Sequence, residues 1–154
     1  MQMEVLITTQ PSKSIYGLWM NSSDKTISKD IPALSKRYYD VIGKMPESVL
    51  PFYVLSKDYD ETSGRFRLFI GGEVQHEQLD AHGLPAGDYG KITVKPKLGF
   101  IWGLAVGEAK RYFYTKWLPA SEYKALNMEY EYHTEKSIGK KQEIDILFSI
   151  EKRA

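Results

Sequence analysis

The spacing of apolar and polar residues along the chain changes several times, and each change predicts a new element. Residues 3–9 predict a strand, and residues 16–21 predict a second strand after the turn signal at residues 11–14. Between residues 31 and 45 the apolar side chains recur at steps of three and four, which is typical of one face of a helix. Asp30 is the predicted N-cap of this helix, and Gly43 is the predicted signal for its end.

Two more strands complete the first half of the pattern. Residues 52–56 form a short apolar run and residues 65–70 alternate, so both predict strands. The pair Gly71 and Gly72 predicts a β-bulge where the second of these strands bends. Residues 76–87 are polar and contain turn-forming residues, so they predict a connection without regular structure.

The same order of elements then occurs a second time. Residues 89–94 predict a strand, residues 102–117 follow helical steps, and residues 128–133 and 144–150 alternate as two more strands. We therefore predict a single α+β domain over residues 1–154, built from duplicated β-α-β-β units.

The predicted pseudo-repeats cover approximately residues 3–76 and 86–152. Tyr16-Gly17 in the first and Tyr89-Gly90 in the second stand at an offset of 73 residues. Two such units can pair their strands into one antiparallel sheet with two helices on one face. A central cleft is then left where the halves meet, and ligand pockets favour such junctions.

Composition and charge exclude several classes of function. The chain of 154 residues has 21 basic and 20 acidic residues, so it lacks the basic excess typical of nucleic-acid binding. Cysteine is absent, which excludes disulfide and thiolate chemistry. No run of ~18 apolar residues and no signal peptide is present, so we expect a soluble, cytoplasmic protein without direct nucleic-acid or membrane binding.

The familiar motifs of catalysis and cofactor binding are also missing. The chain has no dinucleotide-binding or phosphate-binding glycine motif and no nucleophile elbow. Its three histidines, His76, His82 and His133, do not have the spacing of a zinc-protease site. We expect no metal and no cofactor, and the sequence favours a binding protein over an enzyme.

One strand carries the strongest candidate chemistry. Alternation over residues 128–133 places Glu129, Glu131 and His133 on one face. The simplest interpretation is a solvated outer face. A carboxylate among aromatic rings is, however, what an organic cation requires, because it adds charge pairing to cation–π attraction of ~0.5–2 kcal/mol. Tyr112 and Tyr114 of the second helix lie on different faces, so at least one of them is predicted to face solvent or the cleft.

Several segments taken together resemble a known family in their order and spacing. These are DIPAL at 30–34, GRFRLFIGGEV at 64–74, LPAGDY at 84–89, KWLPAS at 116–121, YEY at 130–132 and EIDILFSI at 143–150. The chain resembles, over nearly its whole length, the GyrI-like small-molecule-binding domains, which also serve as effector-binding domains of AraC- and MerR-type transcription regulators. The resemblance implies the duplicated fold and the binding of amphipathic, often cationic aromatic compounds between the halves.

The resemblance also implies a set of site residues. The family's acid, in an aromatic-Glu-x-Tyr strand motif, corresponds best to Glu131, and a shift of register selects Glu129 instead. His133 stands where the family has Tyr, and Ser35 stands where a Trp is frequent. The aromatic side chains predicted to enclose the ligand's ring system are Tyr89, Trp117, Trp19, Tyr53 and Tyr114.

Three functions follow from these observations. The first is a stand-alone binding protein for hydrophobic, cationic aromatic small molecules, since the chain has no room for a fused DNA-binding domain. The second, which the resemblance implies, is a hydrolase of strained electrophilic rings, in which Glu131 activates water and burial raises its pKa. The third is a protein-interaction module, such as a gyrase inhibitor, with a protein partner.

Overall fold

The computed structural model of the protein describes residues 3–43, 50–95, 102–137 and 142–154. These residues form eight strands and two main helices. In chain order they are β1 (Leu6–Gln10), β2 (Lys13–Ser23), α1 (Ile27–Ile42), β3 (Phe52–Lys57), β4 (Arg65–Gly72), β5 (Asp80–Leu84), β6 (Gly87–Val94), α2 (Trp102–Tyr112, continued by a π-helical turn Phe113–Trp117 and a last turn Leu118–Ala120), β7 (Tyr123–His133) and β8 (Ile144–Lys152).

The strands form one antiparallel sheet in the order β1-β6-β8-β7-β3-β4-β2-β5, and the sheet curls into a half-barrel. The predicted α+β fold, with two helices on one face of an antiparallel sheet, is confirmed. The two halves meet where β3 pairs with β7. The two edge strands are exchanged between the halves: β1, at the start of the first half, pairs with β6 of the second half, and β5, just before β6, pairs with β2 of the first half. The single domain over 1–154 and the pseudo-repeat boundaries 3–76 and 86–152 stay predictions.

The helices cover the outer face of the sheet at its two ends. Helix α1 lies over β2 and β4, where Leu34 and Tyr38 are fully buried. Helix α2 lies over β6 and β8, where the Phe113 ring stacks on Phe148 at 3.9 Å between centroids. The central strands β3 and β7 are left as the floor of a groove between the helices. None of the helices in the described residues combines the length and apolar character that crossing a membrane requires.

No helix formed by the described residues covers the inner face of the sheet, which buries its side chains by curling around them. Ile15, Leu55 and Phe69 are fully buried there. The curl brings β2 and β4 very close together at Gly17 and Gly71. A Cβ on Gly17 would lie 2.1 Å from the Ile70 carbonyl oxygen, and one on Gly71 would lie 2.2 Å from that of Tyr16. Only glycine fits this approach.

Strand β7 contains a bulge that anchors the loop between β3 and β4. Residues 126–128 stand opposite a single residue of β8, between the pairs Ala125–Ile150 and Glu129–Phe148. Asn127 in the bulge adopts φ 57°, which asparagine tolerates. Its side-chain amide bonds the backbone N–H and carbonyl of Tyr59 at 2.8 and 3.1 Å. The bulge therefore also acts as a fastening point for a neighbouring loop.

Three local predictions are corrected by the structure. Helix α1 begins at Ile27 rather than after Asp30, and the Asp30 carboxylate instead accepts hydrogen bonds from the Thr26 and Ser22 hydroxyls, which lower its pKa. Gly43 ends the helix in the left-handed conformation, as predicted, and the predicted helical residues 44–45 lie outside the described residues. Residues 80–84 form a strand, β5, that the polar pattern concealed. Gly71 and Gly72 pair in register and form no bulge.

Candidate functional site

Alternation along β7 separates its side chains into two groups. Tyr130 and Tyr132 point to the inner face and pack among its aromatic residues. Glu129, Glu131 and His133 point to the helix side, because successive side chains of a strand face opposite ways. Their exposed fractions are only 13%, 13% and 17%. The floor of the interhelical groove is therefore a row of two half-buried carboxylates and an imidazole.

Helix α2 supplies the partners of Glu129. The Tyr114 hydroxyl donates a hydrogen bond to Glu129 Oε1 at 2.7 Å, and Lys110 Nζ lies 2.8 Å from Oε2. Tyr114 belongs to the π-helical turn, a distortion often found at functional sites. Burial raises the pKa of Tyr114, and the Glu129 charge adds to this rise. Burial alone would lower the pKa of Lys110, but the Glu129 and Glu131 charges outweigh it and raise that pKa.

Glu131 has a different environment. Its Oε1 lies 3.1 Å from His133 Nε2, two residues along the same strand. Burial works to raise the pKa of Glu131, but the hydrogen bond with His133 and the Lys110 charge outweigh it and leave that pKa lowered. Among the described residues, His133 is the only one that hydrogen-bonds to this carboxylate. Glu131 is therefore ionised, half-buried and tied to a single side chain of its own strand.

The wall on the α1 side of the groove is aromatic. The Tyr39 ring stacks on Phe52 at 5.7 Å, and the His133 ring meets Phe52 edge-on at 5.8 Å. Tyr38 lies behind them, 6.0 Å from Phe52. Burial raises the pKa of Tyr38 to about 12, and no described residue bonds its buried hydroxyl. The groove thus has a charged wall on one side and a ring-lined wall on the other.

The structure brings together only part of the predicted site. Glu131, Glu129 and Tyr114 lie together at the groove. Trp117 is on the same side of the sheet but farther along α2, stacked on Phe113 at 5.2 Å and on Tyr123 at 6.0 Å. Its ring is thus engaged by the core beneath the helix.

Tyr89, Tyr53 and Trp19 lie on the inner face, so the sheet separates them from Glu131. The Tyr53 hydroxyl donates to Glu73 at 2.8 Å, and the Tyr89 hydroxyl donates to a backbone carbonyl at 2.7 Å. A cavity of about 320 Å³ opens near Tyr89, and its lining residues are Gln10, Pro11, Ser12, Lys13, Leu84, Tyr89 and Tyr130. A ligand-binding role for Tyr89, Tyr53 and Trp19 stays a prediction, and a ligand bound by them would lie on the inner face of the sheet, away from Glu131.

Three groove residues were missed in the sequence. Lys110 stands four residues before Tyr114, so both occupy one helix face, and this spacing is a signal that could have found it. Phe52 and Tyr39 carry no comparable signal, because their meeting depends on how α1 lies over the sheet. No three acidic or histidine side chains within the described parts of the chain cluster as a metal site requires.

Comparison with known proteins gives the fold a context. No family model matches the chain, and no curated protein matches it. Solved structures do resemble it. SAV2435 bound to tetraphenylphosphonium aligns with a TM-score of 0.70 at 12% identity, over 97% of this chain and 94% of that one. An integron cassette protein from Vibrio cholerae aligns at 0.69 and 13% identity, over 96% and 95%.

The C-terminal domain of EcmrR aligns at 0.61 and 14% identity, over 99% of this chain and all of that one. At such identities the likeness establishes a shared fold and nothing finer. The fold is thus one that also occurs in a small-molecule-bound protein and in a domain of a larger protein.

Proposed function

We propose that this protein is a GyrI-like effector-binding domain that binds a hydrophobic, cationic aromatic small molecule in the groove between α1 and α2. The observation that carries the proposal is Glu131, an ionised and half-buried carboxylate on the groove floor with one hydrogen-bond partner. A buried carboxylate without a full set of partners favours a cation over a neutral ligand. The role would be cytoplasmic drug or effector binding.

The geometry favours Glu131 over Glu129 as the acid that pairs with the ligand. Glu129 already has a hydroxyl donor and an ammonium group within 2.8 Å. A ligand would have to displace Tyr114 or Lys110 to reach it, whereas Glu131 requires no such exchange with α2. We therefore assign charge pairing to Glu131 and a supporting role to Glu129.

The aromatic wall gives the ligand's rings a place to pack. The stacked pair Tyr39 and Phe52 lies beside the row of acids, so a planar aromatic group can contact it while its charge stays near Glu131. Aromatic contacts of this kind contribute about 0.5–1.5 kcal/mol beyond the apolar area that they bury. The shared fold with a tetraphenylphosphonium-bound protein supports the same class of ligand.

The hydrolase alternative has less support. It requires burial to raise the pKa of Glu131 toward the range of a general base. The pKa of Glu131 is lowered instead, and a carboxylate with a lowered pKa is a weaker base. The charge on Glu131 is thus better suited to holding a cation than to taking a proton from water.

The test is a calorimetric titration with tetraphenylphosphonium. We expect Glu131→Gln to weaken binding by about 10- to 100-fold, because a charge-assisted contact contributes about 1.5–3 kcal/mol. Asp145→Asn is the matched control, since it removes a carboxylate from the neighbouring strand on the opposite face, and it should leave the affinity within about twofold. Triphenylphosphine oxide, a neutral relative of tetraphenylphosphonium, should bind the wild type, Glu131→Gln and Asp145→Asn with equal affinity. Equal affinity of the wild type and Glu131→Gln for the cation would refute charge pairing.

A further inference from the structure

The groove contains a cation of its own. Lys110 Nζ lies 2.8 Å from Glu129, and only 26% of the Lys110 side chain is exposed. The Glu129 and Glu131 charges together raise the pKa of Lys110, so its ammonium group stays protonated. A protonated lysine that contacts Glu129 and also feels the Glu131 charge changes the charge that a ligand meets.

The charges around the groove can be counted element by element. Strand β7 contributes Glu129, Glu131 and His133, and α2 contributes Lys110. The Asp24 carboxylate, which accepts a hydrogen bond from the Tyr59 hydroxyl, acts on the Lys110 charge less than the two glutamates do. The groove-facing side chains of β3 are Phe52, Val54 and Ser56, and Tyr39 of α1 stacks on Phe52; all four are uncharged. On the groove floor, with a neutral imidazole, the two glutamate carboxylates and the Lys110 ammonium leave a single net negative charge.

We propose that Lys110 acts as a resident counter-ion that makes the groove favour singly charged organic cations over dications. This inference rests on the proposed function, because it concerns the charge of the ligand that Glu131 binds. Lys110 is then a specificity-determining residue, set one helical turn before Tyr114.

A monocation and a dication meet different electrostatics in this groove. A monocation can pair with Glu131 while Glu129 keeps its contacts with Lys110 and Tyr114. A dication has to place its second charge close to the Lys110 ammonium or displace it. Either choice is unfavourable, because like charges repel strongly in a partly desolvated site. Removal of the Lys110 charge should therefore raise the affinity for a dication far more than the affinity for a monocation.

Ethidium and propidium provide a matched pair of probes, since both have the same aromatic ring system and propidium carries a second quaternary charge. Their binding can be measured by fluorescence at low ionic strength and pH 8, above the range in which histidine side chains usually change charge. The wild type should bind ethidium about tenfold or more tightly than propidium. In Lys110→Met, the affinity for propidium should rise about tenfold or more, and the preference for ethidium should disappear.

Three further variants keep this test interpretable. Lys110→Gln removes the charge with a polar side chain, in case Lys110→Met is unstable, and should act in the same direction. Lys110→Arg retains the charge and should retain the preference. Lys116→Met removes an exposed lysine from the same helix and should change neither affinity.

The outcomes separate the inference from the proposed function. If ethidium binds through Glu131 but both uncharged Lys110 variants keep the wild-type preference, the inference is wrong and the proposed function stands. If neither dye binds the wild type or any Lys110 variant, both are overturned. A loss of preference in Lys110→Met and Lys110→Gln, with Lys110→Arg and Lys116→Met unchanged, supports the inference, because a merely structural role for Lys110 would weaken both dyes alike.

Discussion

The two faces of strand β7 differ in almost every physical property, although their residues alternate one by one along the chain. On the inner face, Tyr130 and Tyr132 pack among apolar and aromatic side chains that the curled sheet encloses. On the groove face, Glu129 and Glu131 are half-buried and held by a lysine, a tyrosine and a histidine. The inner face therefore provides packing, whereas the groove face provides charge. Substitutions on the two faces should accordingly affect different measurements.

The largest effect is expected from truncation on the inner face. Phe69 is fully buried there and contacts the rings of Trp19 and His82. Phe69→Ala should lower the free energy of unfolding by about 3–5 kcal/mol, the usual cost of removing a buried phenylalanine. Arg65→Ala, exposed on the same strand, should cost less than about 0.5 kcal/mol. Urea unfolding measures both, and a loss for Phe69→Ala as small as that of the control would mean that the inner face is not a packed core.

A smaller effect on the free energy of unfolding is expected when a tyrosine hydroxyl is removed, and this effect should differ between the two faces. Tyr114→Phe removes the hydrogen bond to Glu129 on the groove face and should cost about 1–2 kcal/mol, at the lower end for a bond to a charged group because the site is partly exposed. Tyr132→Phe removes a hydroxyl on the inner face that bonds to no described residue, and should change the unfolding free energy by less than about 0.5 kcal/mol. Thermal or urea unfolding of the pair tests this, and equal losses would contradict the division of roles.

The smallest effect is the contribution of Glu131 to the pH dependence of the unfolding free energy, because Glu131 is only one of 20 acidic residues. The pKa of Glu131 is lowered in the folded protein, so the folded state holds this proton less tightly than the unfolded state. Its contribution to stability is complete above the ordinary glutamate pKa and is lost as the pH falls through the lowered value. The difference in unfolding free energy between wild type and Glu131→Gln should therefore shrink on acidification. A difference that stays constant down to strongly acidic pH would show that the pKa is not lowered.

The fold was largely accessible from the sequence because its core strands alternate strongly. Residues 65–70 and 144–150 place apolar side chains on one face, and both segments are strands of the sheet. Strand β5, with the sequence DAHGL, lacks this alternation because it is an edge strand that pairs only with β2. Helix α1 begins at Ile27, earlier than Asp30 suggested, because Asp30 bonds to hydroxyls around it instead of acting as the cap.

The candidate site was accessible only in part. The shared face of Glu129, Glu131 and His133 follows from alternation alone, and the structure has it. The ring next to Glu131 in the sequence, Tyr130, follows the same alternation to the opposite face and does not lie beside the acid. The rings that do lie beside Glu131 come from β3 and α1. Their placement depends on tertiary packing, which a local pattern does not contain.

The bulge in β7 has a consequence for which side chains of this strand face the groove. Three residues stand opposite one there, so the strand has an even surplus of two, and side chains beyond it keep the orientation that those before it set. A shift of the pairing between β7 and β8 by one residue beyond the bulge would exchange the faces of every later residue. The acids would then enter the half-barrel, and the tyrosines would enter the groove. The bond of Asn127 to Tyr59, which holds the bulge in place, therefore also helps to keep the acids on the groove side.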